Sequence, residues 1–569
     1  MSRRPTKSAS SPAPRSAAAS PAPRSAAASP APRSAAASRV AAGDRTDIGA
    51  LLDSAAAHRA AGRLDAALRH FRLAYAHAPA HPAVAGGLGT LLRDLGRAPE
   101  AVRILSDAVR DHPGSAALIA TLASALQASG DLKEAVNRYR EALKLDPSLL
   151  PARANLGLAL TELGALDEAI AAYRAVLAKL PDNAELHCNL GWALFASGEV
   201  ENARRYFERA VLLNPGVALA QEKLGLVRLA ERDLKGAAEA LARDAEASRG
   251  PGWTAAEREA GRPINDRTST PGLGMVSAYK LAHEADQLRH LHAMGMIGAE
   301  GNALASHYDA LAAEFESRLG RDAVIPVEGQ IAARLGPAYG APYYMPPCPT
   351  LSRGALNTQL DFDAIESAYL AGRPEAVTID GLLRGEALEA LRAFCHTATM
   401  WNDVKRGYMG AYLRHGFGAP LLLQIAAELR DALPGVLGPY PLIEMWAYKY
   451  DQALNGIETH ADCAAVNVNF WLAPDDANLD PASGGLEVFL AEAPASWDFH
   501  RYNTDGEAID LFLEASGHRS QVVPHRSNRA VLFNSNLFHR THDPRFKPGY
   551  TNRRINVTML FGFRKTNAA

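Results

Sequence analysis

Cysteine is scarce. The 569-residue chain has four, Cys188, Cys348, Cys395 and Cys463. They are scattered and form no CxxC pair, which argues against a disulfide framework and a thiolate zinc site; a reducing, cytoplasmic setting is expected. Charge of one sign is also lacking. The formal net charge is -2, so the chain offers no strong field to nucleic acid or to an anionic membrane, and neither is expected as a partner. No run of eighteen apolar residues occurs, so no membrane-spanning helix is expected, and the N-terminus lacks the apolar core of a secretory leader. What remains is 48% hydrophobic and 21% charged, a globular balance over a length that suits several domains.

Residues 1–47 read as a low-complexity tail. The nonapeptide SPAPRSAAA recurs from Ser11, Ser20 and Ser29, and residues 1–43 carry seven basic side chains and no acid. Such a segment cannot bury enough apolar area to offset its ordering entropy, so a disordered tether is expected. An Arg- and Ser-rich organelle leader has a similar composition, but the prolines would interrupt its amphipathic helix.

A strict period follows. Pro79, Pro113, Pro147, Pro181 and Pro215 are 34 residues apart, and Gly62, Gly96, Gly130, Gly164 and Gly198 each precede one by seventeen. Five residues after each Gly comes Ala67, Ala101, Ala135, Ala169 or Ala203, and four further on Phe71, Leu105, Tyr139, Tyr173 or Phe207. The spacing predicts a helix, a Gly turn, a second helix packed through a small Ala, and a Pro stop. A sixth copy (Leu224, Gly225, Ala237, Leu241) lacks the turn Gly and the final Pro, as a terminal, capping unit would. The array, residues 48–249, resembles the tetratricopeptide repeat. The resemblance implies a superhelix whose concave face binds a protein or peptide; a spacer or dimer contact is the alternative.

Residues 250–375 are rich in Pro and Gly (Pro251, Gly252, Pro263, Pro271, Gly272, Gly274). A helix is expected from Val276 to about Gly295, with His283, His290 and His292 solvated or capping. Two further helices are expected near 386–397 and 420–433, then short strands through residue 564.

A His-x-Asp triplet stands at His460-Ala461-Asp462 and a second at His307-Tyr308-Asp309. Around His307, Leu304, Tyr308, Leu311, Phe315 and Leu319 recur at helical spacing, where residues two apart diverge. After His460, Val466, Val468, Phe470 and Leu472 alternate with Asn467, Asn469 and Trp471, and on an extended segment residues two apart share a face. His460 and Asp462 can therefore aim at one ion. The strand 529–533 leads to His539, a third ligand; His542 is its competitor, but precedes the loop signature Asp543-Pro544. Two imidazoles and a carboxylate leave positions open, as iron(II) oxygenases require. Strand alternation puts Arg554, Asn556 and Thr558 on one face, where Arg554 could grip a carboxylate with its planar fork; Arg553, facing the other way, is the second choice. Cys463 reads as a small buried residue, with a reactive thiol as the alternative.

The order HxD, distal His, RxNxT resembles the double-stranded β-helix (jelly-roll) 2-oxoglutarate- and Fe(II)-dependent oxygenases. Longer phrases resemble bacterial tetratricopeptide-linked members of prolyl-hydroxylase-like kind: Tyr408–Tyr412, Trp446–Tyr450, His460–Leu486, Asn534–Thr541 and Gly549–Gly562. The resemblance covers roughly residues 376–565. It implies a C-terminal α+β jelly roll over 376–569, iron at His460, Asp462 and His539, and 2-oxoglutarate at Arg554. Tyr450 matches a tyrosine near the co-substrate, with a packed core aromatic as the alternative, and Gly484-Gly485 matches a tight turn. The implied cofactors are Fe(II), 2-oxoglutarate and dioxygen, with ascorbate as an accessory reductant. The implied chemistry is oxidative decarboxylation coupled to hydroxylation. The repeats favour a polypeptide side chain as substrate. The alternatives are a small-molecule oxygenase that uses the repeats for assembly, a non-catalytic scaffold, and a cupin-like metal hydrolase or isomerase that would leave Arg554 without a task.

Overall fold

The computed structural model describes residues 47–217, 219–250, 274–372, 375–451, 456–517 and 519–564. The low-complexity tail and Pro251, Gly252, Pro263, Pro271 and Gly272 lie outside these. The chain divides into two compact units, residues 1–182 and 183–567.

In the first unit the described residues form four antiparallel helix pairs, from Ile48–Ala60 with Leu64–His77 to Leu150–Glu162 with Leu166–Leu177. The periodic glycines turn each pair, with φ between 73° and 91° at Gly62, Gly96, Gly130 and Gly164. At that φ a Cβ is strained, and the backbone closes as a Schellman motif: Gly96 N–H donates to Arg93 O and Arg97 N–H to Leu92 O. The periodic alanines are fully buried, as are Leu105, Tyr139 and Tyr173. They face a second small position of the same period in the preceding helix, where a Cβ on Gly157 would stand 2.9 Å from the Tyr173 ring. A bulky side chain set against a small residue (Leu105 on Gly89, Tyr173 on Gly157) thus draws the two helices together.

The second unit opens with two more pairs, Ala184–Ala196 with Val200–Leu213 and Ala220–Ala230 with Leu234–Arg249. In the sixth copy Arg232 takes the turn position at φ 68°. That conformation costs an L-residue roughly 1–2 kcal/mol, and Arg232 is held there by bonds to Ala427 O and Asp431. Leu226, Leu229, Ala237 and Leu241 share one core with the sheet and with the helices Gly385–Thr397 and Pro420–Ala432. Arg249 is buried, donating to the carbonyls of His415, Gly340 and Thr399. The compact unit therefore begins at residue 183 and not after the repeats at 249.

The described residues of this unit form three sheets. The strands are β1 Met275–Val276, β2 Ile325–Pro326, β3 Ala376–Asp380, β4 Asp403–Lys405, β5 Tyr408–Tyr412, β6 Leu442–Tyr450, β7 Ala464–Trp471, β8 Leu486–Glu492, β9 Ser520–Val523, β10 Arg529–Asn534, β11 Leu537–Thr541 and β12 Ile555–Phe563. β1 and β2 pair, β3-β10-β7-β12-β6-β5-β4 form a seven-stranded sheet, and β11-β8-β9 a three-stranded one. All pairings are antiparallel. One face of the large sheet (Val466, Val468, Phe470, Val557, Met559) packs on the helices. From its other face Trp471, Val531 and Phe533 pack against Leu486, Val488, Val523 and Leu537 of the small sheet.

Residues 274–372 buttress the large sheet. Helix Ala278–Ala293 pairs with Glu300–Leu319, and its buried Lys280 donates to Trp401 O at 2.6 Å and to Glu284. The expectation of solvated histidines fails at His283, which is fully buried among Trp401 and Tyr550. The helix is enclosed on several sides, so burial, not polarity, decides its environment. Burial also pushes the His283 imidazole well below its usual range. His307 and Asp309 lie on the helix Glu300–Leu319 and do not converge; Asp309 pairs with Arg289.

Candidate metal centre

His460 and His539 meet across an isolated two-residue bridge. Each backbone N–H donates to the other's carbonyl, at 3.0 and 2.8 Å. His460 lies just before β7 and not within it; Asp462, in the same extended run, is pinned by its N–H to Ser535 O at 3.1 Å. The intervening Ala461 is buried with Phe489, Tyr502 and Phe538, so alternation sends His460 and Asp462 the other way. The same logic on β11 buries Phe538 and turns His539 inward.

One ligand atom from each of His460, Asp462 and His539 lies within 4.8 Å of the other two. His460 Nε2 is 3.8 Å from Asp462 Oδ1 and His539 Nε2 is 3.4 Å from Asp462 Oδ2. His460 Nδ1 sits 2.9 Å from Glu458 O, and His539 Nδ1 3.1 Å from Leu537 O. A carbonyl only accepts, so both Nδ1 atoms carry the proton and both Nε2 lone pairs turn to the centre. Burial, with His539 alongside, lowers His460 to about 4, leaving the neutral, metal-binding imidazole. Burial opposes ionisation of Asp462, but its neighbours His539, His460 and Asn467 hold its carboxyl below the usual range. Two neutral imidazoles and a carboxylate with orienting bonds fit a divalent transition metal. Among the described residues this is the one such cluster of three or more; His542 does not join it.

A small pocket opens from these residues toward Arg554. A polar ladder floors it. Asn467 donates to Asp462 at 2.5 Å, Asn469 to Asn467 at 3.0 Å, Thr558 and Asn556 to Asn469 at 2.5 and 3.3 Å, and Arg554 to Asn556 at 3.1 Å. Arg554 is 2% exposed. Its other bonds go to Gly484 O at 2.6 Å and Gly485 O at 3.1 Å, and its guanidinium lies 4.3 Å from the Tyr450 ring centre. Gly485 cannot carry a Cβ, which would stand 2.0 Å from Val523 O. The three bonds use three of five guanidinium N–H groups. No carboxylate pairs with Arg554 among the described residues. A buried cation with no counter-ion among the described residues is costly, and its position suits it to receive an anion. Arg553 turns away, as alternation predicts, to Asp286 at 3.0 Å.

Tyr450 lines the pocket, its hydroxyl 3.1 Å from Thr541 Oγ1. Trp446, Tyr448, Ile457 and Thr541 also line it. The sequence reading assigned these no role, although strand alternation puts 446, 448 and 450 on one face. Cys463 is half-buried, its thiol pushed up to about 12 by burial, an inert packing residue.

Tetratricopeptide-repeat family profiles match residues 58–126, 123–164, 157–198 and 184–217. The chain thus carries tetratricopeptide repeats, a protein-interaction module. Similar solved structures include MamA from Desulfovibrio magneticus RS-1, at 25% identity, covering 28% of this chain and 89% of that one with a TM-score of 0.26. Another is a thermophilic tetratricopeptide protein from Thermus thermophilus, at 23% identity, 32% and 99% coverage, and a TM-score of 0.29. No curated protein matches the chain.

Proposed function

We propose that residues 376–564 form an iron(II)- and 2-oxoglutarate-dependent dioxygenase that hydroxylates a polypeptide side chain, prolyl-hydroxylase-like, with the repeats recruiting the target. The observation that carries this reading is the pairing, in one pocket, of the His460–Asp462–His539 cluster with the buried Arg554, which has no carboxylate partner among the described residues. A carboxylate-terminated keto acid needs both ends. Packing of the large sheet on the small one, with His460 and Asp462 just ahead of β7 and His539 on β11, favours the jelly-roll assignment.

His460, Asp462 and His539 would hold the metal, which when bound supplies dioxygen activation coupled to oxidative decarboxylation of 2-oxoglutarate. Arg554 binds the distal carboxylate through its remaining N–H groups. The Tyr450 ring lies against the Arg554 guanidinium and the Thr541 hydroxyl, and Trp471 closes the far wall, so the clamp works away from water. The Asn467–Asn469 ladder keeps the Asp462 carboxylate oriented and joins its position to that of Arg554.

The test is succinate formation from 2-oxoglutarate with iron(II), ascorbate as accessory reductant, and no added substrate. Succinate should form with the full chain and not with His460→Ala; equal rates in both would remove the assignment.

A further inference from the structure

Beside the metal pocket lies a second, wider concavity. Thr541 borders both, and Glu458, Asp510, Asp543, Arg540 and His542 line the outer one. Its cation is already engaged: Arg540 pairs with Glu487 at 2.7 Å, and Asp543 is held by Arg545 at 2.7 Å. Glu458 and Asp510 are exposed and have no ion pair among the described residues. The outer concavity is therefore acidic, and it meets the inner pocket at Thr541.

The inner pocket has a different wall. The Tyr412, Trp446 and Tyr448 rings stand about 6 Å from one another in register across β5 and β6 (5.9–6.2 Å). Gly410 makes room for this: a Cβ there would stand 2.9 Å from Tyr412 and 3.1 Å from Tyr448. Trp446 is 8% exposed, lines the inner pocket, and its indole N–H is buried with no acceptor among the described residues. A buried donor without an acceptor is costly, and an aromatic wall with an indole N–H is how proteins read proline-containing backbone, ring on ring and N–H to carbonyl.

An aromatic wall with a free donor, followed by an acidic shelf, suits a basic segment in which proline stands next to arginine. The chain contains such a segment. Pro-Ala-Pro-Arg occurs at residues 12–15, 21–24 and 30–33, in a stretch with seven basic residues and no acid. A second copy of the chain can present it as well as the same copy. We propose that this N-terminal segment is itself a substrate, hydroxylated on proline, with the prolyl ring against the Trp446 wall and the following Arg on the Glu458–Asp510 shelf. This rests on the dioxygenase reading. In the step, a prolyl C–H bond breaks and a C–O bond forms to one atom of dioxygen. The other oxygen enters succinate as 2-oxoglutarate loses carbon dioxide. Two electrons from the C–H bond and two from the decarboxylation complete the four-electron reduction of dioxygen.

The test uses the full chain, iron(II) and 2-oxoglutarate under ¹⁸O₂, with mass spectrometry of tryptic peptides and succinate measured in parallel. Residues 16–24 and 25–33 release the same peptide, SAAASPAPR, which should gain one labelled oxygen on proline, and none in His460→Ala. Asp510→Lys should lower incorporation several-fold with succinate formation retained, and reversing Arg24 and Arg33 to Glu should restore incorporation in that variant, read there on the tryptic peptide 16–39. Succinate with no label in these peptides, or label only on a co-incubated protein, overturns the proposal and leaves the dioxygenase intact. Absence of both succinate and iron binding overturns the two together. Label that is equal in the wild type and Asp510→Lys removes the acidic shelf and with it the proposal.

Discussion

Replacing Arg554 with Lys separates co-substrate binding from metal binding. The guanidinium commits three N–H groups to Gly484 O, Gly485 O and Asn556 and keeps two for a carboxylate. A lysine ammonium is a point charge and can make one such bond. Losing one charge-assisted hydrogen bond in a buried site costs about 1.5–3 kcal/mol, which is roughly a 10- to 150-fold weaker affinity for 2-oxoglutarate. Iron affinity should be unchanged, because Arg554 reaches Asp462 only through Asn556, Asn469 and Asn467. Anaerobic titration of 2-oxoglutarate into the iron-loaded protein reads the first quantity and equilibrium dialysis of iron(II) the second. Unchanged 2-oxoglutarate affinity, or an equal fall in both, would refute the reasoning.

Other outcomes follow from packing and burial. Gly157→Ala drives a methyl into the Tyr173 ring at 2.9 Å, so unfolding in urea should show a loss of about 1–3 kcal/mol; no loss would mean the helices can part freely. A chain that begins at Asn183 should give a cooperative melt, whereas one that begins at Gly250 loses Leu241 and Arg249 from the shared core and should bind hydrophobic dye. A folded, monodisperse Gly250 chain would contradict the shared core. Burial lowers His396 and His525 to about 3 from 6.5. The unfolded state then binds more protons, so their contribution is complete above pH 6.5 and lost as pH falls from there toward 3. The melting temperature should drop over that window, and less steeply in His396→Phe; an unchanged slope would count against a neutral, buried His396.

Sequence reading reached the repeats because period 34 and Gly-to-Ala spacing repeat five times, so each position is measured against four others. It missed Arg232, since an L-residue at φ 68° leaves no local signal and is held by a partner some two hundred residues away. The triad was legible from period-two alternation after His460, though the two histidines are brought together by a bridge between non-adjacent segments that no local pattern encodes. Burial of His283 was illegible for the same reason: helical spacing tells which residues share a face, not how many faces are covered. Arg554 stood out by alternation alone; that it is buried with no counter-ion among the described residues comes from tertiary packing, which brings Gly484 O and Gly485 O to its guanidinium.

The most direct measurement is visible absorption of the anaerobic protein with iron(II) and 2-oxoglutarate, since a charge-transfer band requires the keto acid chelated to a ferrous ion. Such a band should appear with the full chain only when both are added, and should vanish in Asp462→Ala. A band that persists in Asp462→Ala, or its absence from an iron-loaded full chain saturated with 2-oxoglutarate, would contradict the assignment.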